Sequence, residues 1–563
     1  MKSKMSFFNK GLISSNLKRY SWVSVIWSVL LFLALPLSMM TYQIPTNTDT
    51  LATQFANDAY STMMHRFGGD FANLMLAAFP VLIGMLVFRY LHSQKSSTVM
   101  HGLPFTRLRL FANSLISAFI LILIPLTFNT TIIFIIKASM PIGKFLDTSA
   151  IFTWLLNSVC ISFCIFSLSV FVGMFTGNLI AHIVFTYIAH FLPLMLYVSV
   201  NEILAMLVYG YHEPTVPDWL TNFPMMRIFY NCINLDLYYI ISGIILLALA
   251  FIVYRKRPNE SGGDIVSFRF MRPVFKYGVT FCAAIFGYLF FSGITGRNQM
   301  SIIALVFVVI GYALAQMLIS KSWRFYHAWK GLLASVIIWS LIWCAIEYDV
   351  TGFEKRVPIT DTIESITVES GLPAMDNTEI VISNKDDILN LRNMHEALTE
   401  NETNEYDAFL KFTYKLSNGK TMSRAYKYAL RDYETYLKPL FYSESVREQG
   451  MGILKVHAED IVDMSIHTYK PEQYGYKTKR ISDKEQIESF LESYKTDLRN
   501  ISYEDLVYEE YNDRIFSVGL EPYPTKLSAN AEPTFHYQSC EINEDFPKSL
   551  AWLKENVFNE NNQ

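Results

Sequence analysis

The feature that most constrains this chain is a series of uncharged, apolar runs, each near the roughly 20 residues a helix needs to cross a bilayer. They extend from Trp22 to Met40, Phe71 to Phe88, Leu110 to Ile136, Ile151 to Phe175, Leu179 to Val200, Leu237 to Val253, Tyr277 to Ile294, Met300 to Ile319 and Gly331 to Ile346. In hydrocarbon the backbone N–H and C=O groups must be paired within the segment, so such runs fold as helices. About nine spans follow. Eight or ten stay open, because Thr176, Gly177 and Asn178 alone separate the fourth and fifth runs and some later runs are short. A soluble metabolic enzyme is excluded.

The net charge of −3 hides two halves of opposite sign. From Met1 to Tyr348 there are 23 Lys and Arg against 11 Asp and Glu, and from Asp349 to Gln563 there are 24 against 39. That seam is read as a domain boundary. With the N-terminus inside the cell, the inward loops hold Arg89, Lys95, Arg107 and Arg109, then the cations from Arg255 to Lys276, then Lys321, Arg324 and Lys330. The outward loops hold only Arg66, Lys137, Lys144, Arg227 and Arg297, beside acids such as Asp49, Asp58, Asp147, Glu202, Asp218 and Asp236. Counting Lys2, Lys4, Lys10, Lys18 and Arg19, 18 cations lie inside and 5 outside, which fixes the orientation by the positive-inside rule. An odd number of spans then places residues 349–563 outside the cell as a separate domain.

Residues 1–21, basic and carrying Phe7, Phe8, Leu12, Ile13 and Leu17, fit an amphipathic helix lying in the headgroup plane. The rival, a secretory signal, is opposed by the length of the following run and by its lack of a small-residue cleavage site. The outer segment from Asn201 to Asp236 reads either as short interfacial or re-entrant helices or as a plain loop. Six cysteines, Cys160, Cys164, Cys232, Cys282, Cys344 and Cys540, have spacings that make neither a disulfide framework nor a zinc cluster.

The acidic part contains an internal echo: Ile382-Ser-Asn-Lys-Asp-Asp-Ile388 recurs 99 residues later as Ile481-Ser-Asp-Lys-Glu-Gln-Ile487. Each copy reads as a helix start, with Ser383 or Ser482 as N-cap and an acid three residues on. A strand precedes each (Ser365 to Glu369, Val462 to Ile466) and a helix follows (Ile388 to Leu398, Ile487 to Leu498). Strands come next, Ala408 to Leu416 with Thr421 to Lys427, and Ile515 to Leu520 with Thr534 to Glu541. Each copy closes on an amphipathic helix, Tyr433 to Arg447 or Pro547 to Val557. The order of elements predicts an α+β domain of two tandem repeats, about 360–450 and 458–560; chance coincidence of two capping boxes is the alternative.

Catalytic signatures are missing from the sequence. Asn418-Gly419-Lys420-Thr421 ends like a phosphate-binding loop, yet Tyr414 stands where the loop needs glycine, so it reads as a hairpin turn. His395, His457, His467 and His536 are scattered, and acids interleaved with tyrosines suit a solvated face better than a metal site. The expectation is no enzyme activity, no metal and no nucleic-acid partner in this chain.

The inward loop after the second run leads from polar residues through a short amphipathic element to a Leu-Pro break and a basic foot: Ser97-Thr-Val-Met-His101-Gly-Leu103-Pro104-Phe-Thr-Arg107-Leu-Arg109-Leu110-Phe111. Taken alone it is either a positive-inside anchor or a docking helix. The stretch His101 to Phe111 resembles the corresponding loop in permease subunits of ABC transporters of the ABC-2 type, particularly those of Gram-positive bacteria. The likeness extends to the basic amphipathic N-terminus, a six-span core (22–256) and the long outer segment before the sixth span. Three additional spans (257–348) and the acidic domain (349–563) depart from the simplest members of that family. The resemblance implies that Ser97 to Leu108 forms the coupling region, with His101, Pro104, Arg107 and Arg109 against an ABC ATPase subunit that supplies ATP and Mg. It further implies a second permease copy or paralogue, and alternating access that exports an amphipathic lipid, peptide or antimicrobial. Polar residues inside spans usually face a protein interior or a cavity. His182, Thr186 and His190 follow i, i+4, i+8 spacing, with Asn178 one turn earlier, and mark either the substrate path or an interhelical hydrogen-bonding seam. Asn129 and Asn157 are weaker candidates. The functional alternative is an antimicrobial-peptide or envelope-stress sensing and resistance module whose outer domain binds the ligand.

Overall fold

The computed structural model describes residues 8–42, 69–230, 237–292, 297–373, 375, 379–400, 406–469, 479–507, 514–522 and 538–557. Lys2, Lys4, Phe7, Asp49, Asp58, Arg66, Cys232, Asp236 and residues 534–537 therefore lie outside the described residues. The chain is mostly helical and divides into two units, residues 1–203 with 214–344, and residues 204–213 with 345–563. Eight described helices are long and apolar enough to cross a membrane, with Phe71–Val87 a shorter apolar one, which marks a membrane-associated protein.

The helices of the first unit are α1 (Lys10–Ala34), α2 (Gly69–Val87), α3 (Gln94–His101), α4 (Arg107–Ser139), α5 (Thr148–Phe175), α6 (Leu179–Leu207), α7 (Leu237–Lys256), α8 (Met271–Ser292), α9 (Arg297–Ser320) and α10 (Trp329–Glu347). The basic segment and the first apolar run are one helix: no proline lies between Lys10 and Ala34, the one glycine, Gly11, sits in the first turn, and Asn9 caps its start by accepting from the Leu12 N–H at 3.1 Å. Thr176-Gly177-Asn178 does end α5, and Gly177 is required there, since a Cβ would stand 2.0 Å from the Ser261 carbonyl oxygen. The Asn201–Asp236 segment contains two short helices, Asp218–Thr221 and Pro224–Tyr230.

A polar seam joins α1 to α4. Pro125 inside α4 has no N–H, which frees the Leu121 carbonyl four residues back, and Ser24 of α1 donates to it at 2.7 Å. Asn129 spans the same seam, donating to the carbonyls of Ser28 at 3.2 Å and Pro125 at 2.9 Å. Around this seam the apolar core collects Val23, Trp27 and Leu31 of α1 with residues of α2, α4, α5 and α7, and Trp27 stacks on Phe79 at 5.3 Å. Helices α8 and α9 pack closely, Gly287 leaving room for the Phe307 ring. Between them and α6 runs an apolar groove of about 790 Å³.

The second unit holds two four-stranded antiparallel sheets with strand orders β2-β1-β3-β4 and β6-β5-β7-β8. The strands are β1 (Ile363–Ser370), β2 (Ile380–Ile382), β3 (Ala408–Leu416), β4 (Thr421–Tyr428), β5 (Ile461–Thr468), β6 (Lys479–Ile481), β7 (Phe516–Pro522) and β8 (Gln538–Ile542). Ile366 pairs with Ile382 in the first sheet, and Met464 pairs with Ile481 in the second. A register shift falls between Ile363 and Ser365 in one and between Ile461 and Asp463 in the other. Strands β2 and β6, three residues each, are too short for a two-residue period to register in the sequence. The helices α11 (Lys385–Glu400) and α12 (Lys484–Asn500) begin one residue later than serine caps require. Asn384 and Asp483 thus hold the cap positions, with Asn384 Oδ1 accepting from the Asp386 N–H at 3.3 Å. The helix expected from Tyr433 to Arg447 is instead two, Glu434–Tyr442 and Glu444–Gly450, parted at an extended Ser443 whose hydroxyl donates to Asp387 at 2.7 Å. One apolar core serves both sheets, from Ile366 and Phe412 to Phe516 and Leu553.

Residues 204–213 are built into this unit. The Ala425 N–H on β4 donates to the Gly210 carbonyl at 3.3 Å, and the Tyr209 N–H donates to Glu354 at 2.9 Å. Gly210 has φ +73°, and a Cβ on it would meet the Tyr426 hydroxyl at 2.4 Å. Behind Tyr426, His395 is fully buried, with its two ring nitrogens 3.0 Å from the hydroxyls of Tyr414 and Tyr426. Burial, followed by the charges of Arg424 and Arg392, lowers its pKa to about 3. An unfolded histidine takes up a proton near 6.5 that this one refuses. Its contribution to stability is therefore complete above about pH 6.5 and falls as pH drops below that, by about 1.4 kcal/mol per pH unit. Thermal melts of the full chain between pH 7.5 and pH 4.5 are expected to show this slope, reduced by that amount in His395→Phe.

Candidate functional site

The loop after α2 folds as a 3-10 turn, Arg89–His92, then α3, then a turn closed by Gly102, whose N–H donates to Thr98 at 3.0 Å. Thr106 caps α4, accepting from the Arg109 N–H at 3.4 Å. The short helix α3 is thus held between two fixed ends.

His101, at its last position, has Nδ1 2.8 Å from the Ser97 carbonyl, so Nδ1 carries the proton and Nε2 accepts from the Tyr254 hydroxyl at 3.0 Å. Tyr90 then donates to the Tyr254 oxygen at 3.1 Å. Burial, with the charges of Arg107 and Arg257, holds the His101 imidazole below its ordinary range, against the opposing Ser97 hydrogen bond. Arg107 donates to the carbonyls of Tyr254 and Arg255 at 2.9 Å and of Arg257 at 3.2 Å. These carbonyls lie at and just beyond the end of α7, where only that of Tyr254 has a described backbone donor, the Arg257 N–H at 3.3 Å, and the negative pole of the helix favours a cation there.

Arg257 does the same for α5. It is 5% exposed and donates to Gly173 at 2.7 Å, Met174 at 2.9 Å, Thr176 at 2.6 Å and Leu91 at 2.9 Å. Four carbonyl dipoles stand in for a carboxylate, and no ion pair to Arg257 occurs among the described residues. Burial lowers its pKa to about 10, which leaves it charged at neutral pH. Arg257 therefore ties the end of α5 to the turn that leads into α3, and Arg107 ties the start of α4 to the end of α7.

The polar residues of α6 divide. Asn178 caps the helix, accepting from the N–H groups of Ile180 at 2.8 Å and Ala181 at 3.3 Å. His182 Nε2 donates to the Ser169 carbonyl at 2.7 Å, which leaves Nδ1 to accept from His92 Nε2 at 2.9 Å. Its ring fits because Gly173 has no side chain: a Cβ there would lie 2.5 Å from it. Burial, then the facing His182 and Arg257, drives the His92 pKa down to about 2. The Thr186 hydroxyl returns to the His182 carbonyl at 2.7 Å. His190 is 1% exposed, edge-on to Phe223 at 6.4 Å, and among the described residues neither ring nitrogen has a hydrogen-bond partner. His182 is thus part of a seam with α2 and α5, whereas His190 keeps its hydrogen-bonding capacity. Asn157 is buried in α5.

Of the loop residues singled out in the sequence, His101 and Arg107 meet at Tyr254. Pro104 is exposed, and Arg109 is half-buried with its carbonyl accepting from Asn113 at 2.7 Å. Sequence reasoning missed Arg257, His92 and Tyr254 as members of this network. Arg257 reads only as one more inward cation, and the sole local signal is its place directly beyond the last turn of α7. No group of three metal-binding side chains occurs among the described residues.

Fold and site together define a membrane-associated helical chain with a strand-containing C-terminal region. A family model described as a domain of unknown function (DUF6449) matches residues 414–511, from the end of β3 to beyond α12, across both sheets. Comparison with curated proteins yields no match, and comparison with solved structures yields none.

Proposed function

We propose that this chain is the membrane-spanning permease subunit of an ABC transporter of the ABC-2 type, which exports an amphipathic substrate using the ATP hydrolysed by a separate subunit. The observation that carries this reading is the anchoring of α3. A short, partly exposed helix is bonded through its own His101 to Tyr254 of α7, while Arg257 fixes the turn before it to the end of α5 and Arg107, just after it, fixes the start of α4 to the end of α7. A push delivered to α3 by a partner would reach α7 directly through His101 and α4 and α5 through the segments that flank α3, which is what a coupling helix requires. The cytoplasmic N-terminus, the nine spans with α2 as the second, the extracellular second unit and a second permease copy belong to the same proposal. So does descent of the two sheets from one duplicated unit, which their common strand order and a register shift at the same place in each, Ile363/Ser365 and Ile461/Asp463, support. His190 is the substrate-contact candidate on α6, and the apolar groove beside α6 suits an amphipathic cargo. The test is assembly with an ABC ATPase, sought first among the products of neighbouring reading frames. A stable complex whose ATPase activity responds to substitutions at Arg107 and Arg109 supports the proposal, and failure to assemble refutes it.

Ligand sensing by the second unit is favoured by one observation, the building of residues 204–213 into it through Gly210, Tyr209 and Ala425. The full chain would then bind an envelope-active peptide or lipid, and that binding would weaken in Gly210→Leu.

A further inference from the structure

A second cavity lies beside α3, on the side away from Tyr254. It is a cleft of about 720 Å³ lined by α1, by the end of α2 with the turn beyond it, by α3 and by the first residue of α6. Its volume is in the range of small-molecule sites. Three cations border it, Arg19 from α1, Arg89 from the turn and Lys95 from α3, and all three are exposed. None of them takes part in an ion pair among the described residues, and the lining contains no acid. The sequence explains why: no Asp or Glu precedes Asp49, and none occurs between Asp70 and Asp147. Three like charges from three elements repel one another across the cleft, a cost that an anion removes.

The remaining lining is of two kinds. Asn16, Ser93 and Ser96 offer hydrogen-bonding groups, whereas Val87, Val99 and Leu179 are apolar. Arg19 and Tyr20 stand where the charged start of α1 gives way to its apolar run, and Arg89 stands just past the apolar end of α2. Cations and tyrosines at such positions lie at headgroup depth in a bilayer. Basic pockets of this kind between helices suit phosphate-bearing headgroups.

We infer that the cleft bordered by Arg19, Arg89 and Lys95 binds a phosphate group, supplied by the headgroup of an anionic membrane lipid. Because Lys95 and Ser96 belong to α3, the bound headgroup touches the same helix whose other side carries His101. The leaflet that supplies it, the inner one when the N-terminus is cytoplasmic, is the one part that rests on the proposed orientation.

The test uses the purified full chain in nanodiscs of phosphatidylcholine, with and without phosphatidylglycerol, which present both faces, so a wrong orientation does not affect the outcome. Retained lipid is counted by native mass spectrometry. Phosphatidylglycerol is expected to be retained over phosphatidylcholine. The R19Q/R89Q/K95Q variant is expected to lose about 100-fold in affinity for it, roughly fivefold per cation. R89Q and K95Q alone are each expected to lose about fivefold, so a triple variant that fails to fold leaves the test intact. K10Q/K18Q, outside the cleft on the same helix, is expected to bind as the wild type does. Displacement of the lipid by millimolar inorganic phosphate would support the phosphate site and assign its source to a free phosphorylated compound. Equal phosphatidylglycerol retention by the wild type and the cleft variants would overturn the inference.

Discussion

Arg257→Ala is expected to lower the stability of the purified chain by about 4 kcal/mol, a large part of the roughly 5–15 kcal/mol that a folded domain possesses. The guanidinium satisfies carbonyls of Leu91, Gly173, Met174 and Thr176, all beside a side chain that is almost fully buried. An orphaned buried polar group costs about 1–3 kcal/mol, and because the Gly173 carbonyl keeps the Thr176 hydroxyl at 3.4 Å and the others relax in part, the four do not sum in full. Arg257→Lys retains the charge but has a compact ammonium in place of a planar fork, so it is expected to recover about half of the loss. Heating in detergent followed by size-exclusion chromatography reads the effect as a lower midpoint for monodisperse protein, in the order wild type, Lys variant, Ala variant. An Ala variant that melts with the wild type would show that these carbonyls find other partners.

Arg107→Glu is the second large effect. The carbonyls of Arg255 and Arg257 would lose the Arg107 donor and, with that of Tyr254, which keeps the Arg257 N–H, face a carboxylate at the negative pole of that helix. The favourable cation–dipole interaction, up to about 2 kcal/mol in partly buried geometry, would be replaced by repulsion. The turn between α3 and α4 is expected to open, and hydrogen exchange of amides from Gln94 to Thr106 to rise about 100-fold, equivalent to about 2.7 kcal/mol. Arg107→Lys is expected to raise it by less than tenfold. If the chain couples to an ABC ATPase as proposed, Arg107→Glu is expected to cut coupled ATP hydrolysis at least tenfold. Exchange unchanged in the Glu variant would mean that Arg107 does not hold α3.

Much of the fold was legible because hydrocarbon and sheets impose strong periodicities. Uncharged runs mark the long helices, and the breaks at Thr176 to Asn178 and at Asn418-Gly419 follow from local residue chemistry. The echo at Ile382 and Ile481 likewise sits at equivalent edge strands of the two sheets. Less legible were features fixed by a partner distant in the chain. Ser443 breaks a helix because Asp387 holds it, and residues 204–213 join the second unit through β4. The site shows the same division. His101 and Arg107 were visible as a loop pattern, but Arg257 looks in the sequence like any cation of an inward loop, and only its four carbonyl partners distinguish it. The i, i+4, i+8 stripe placed Thr186 and His190 on one face with His182, yet spacing cannot tell that His92 and Ser169 already engage His182 while His190 has no described hydrogen-bond partner.

The most direct measurement is co-purification of this chain with a candidate ABC ATPase from neighbouring reading frames, followed by ATP hydrolysis in lipid for the wild type and for R107E/R109E. A permease that couples through α3 gives a stable complex whose hydrolysis, compared with the ATPase alone, is altered by the wild-type chain and returns to the uncoupled level in the double variant. No complex, or a complex whose hydrolysis is the same with and without the two substitutions, would contradict it.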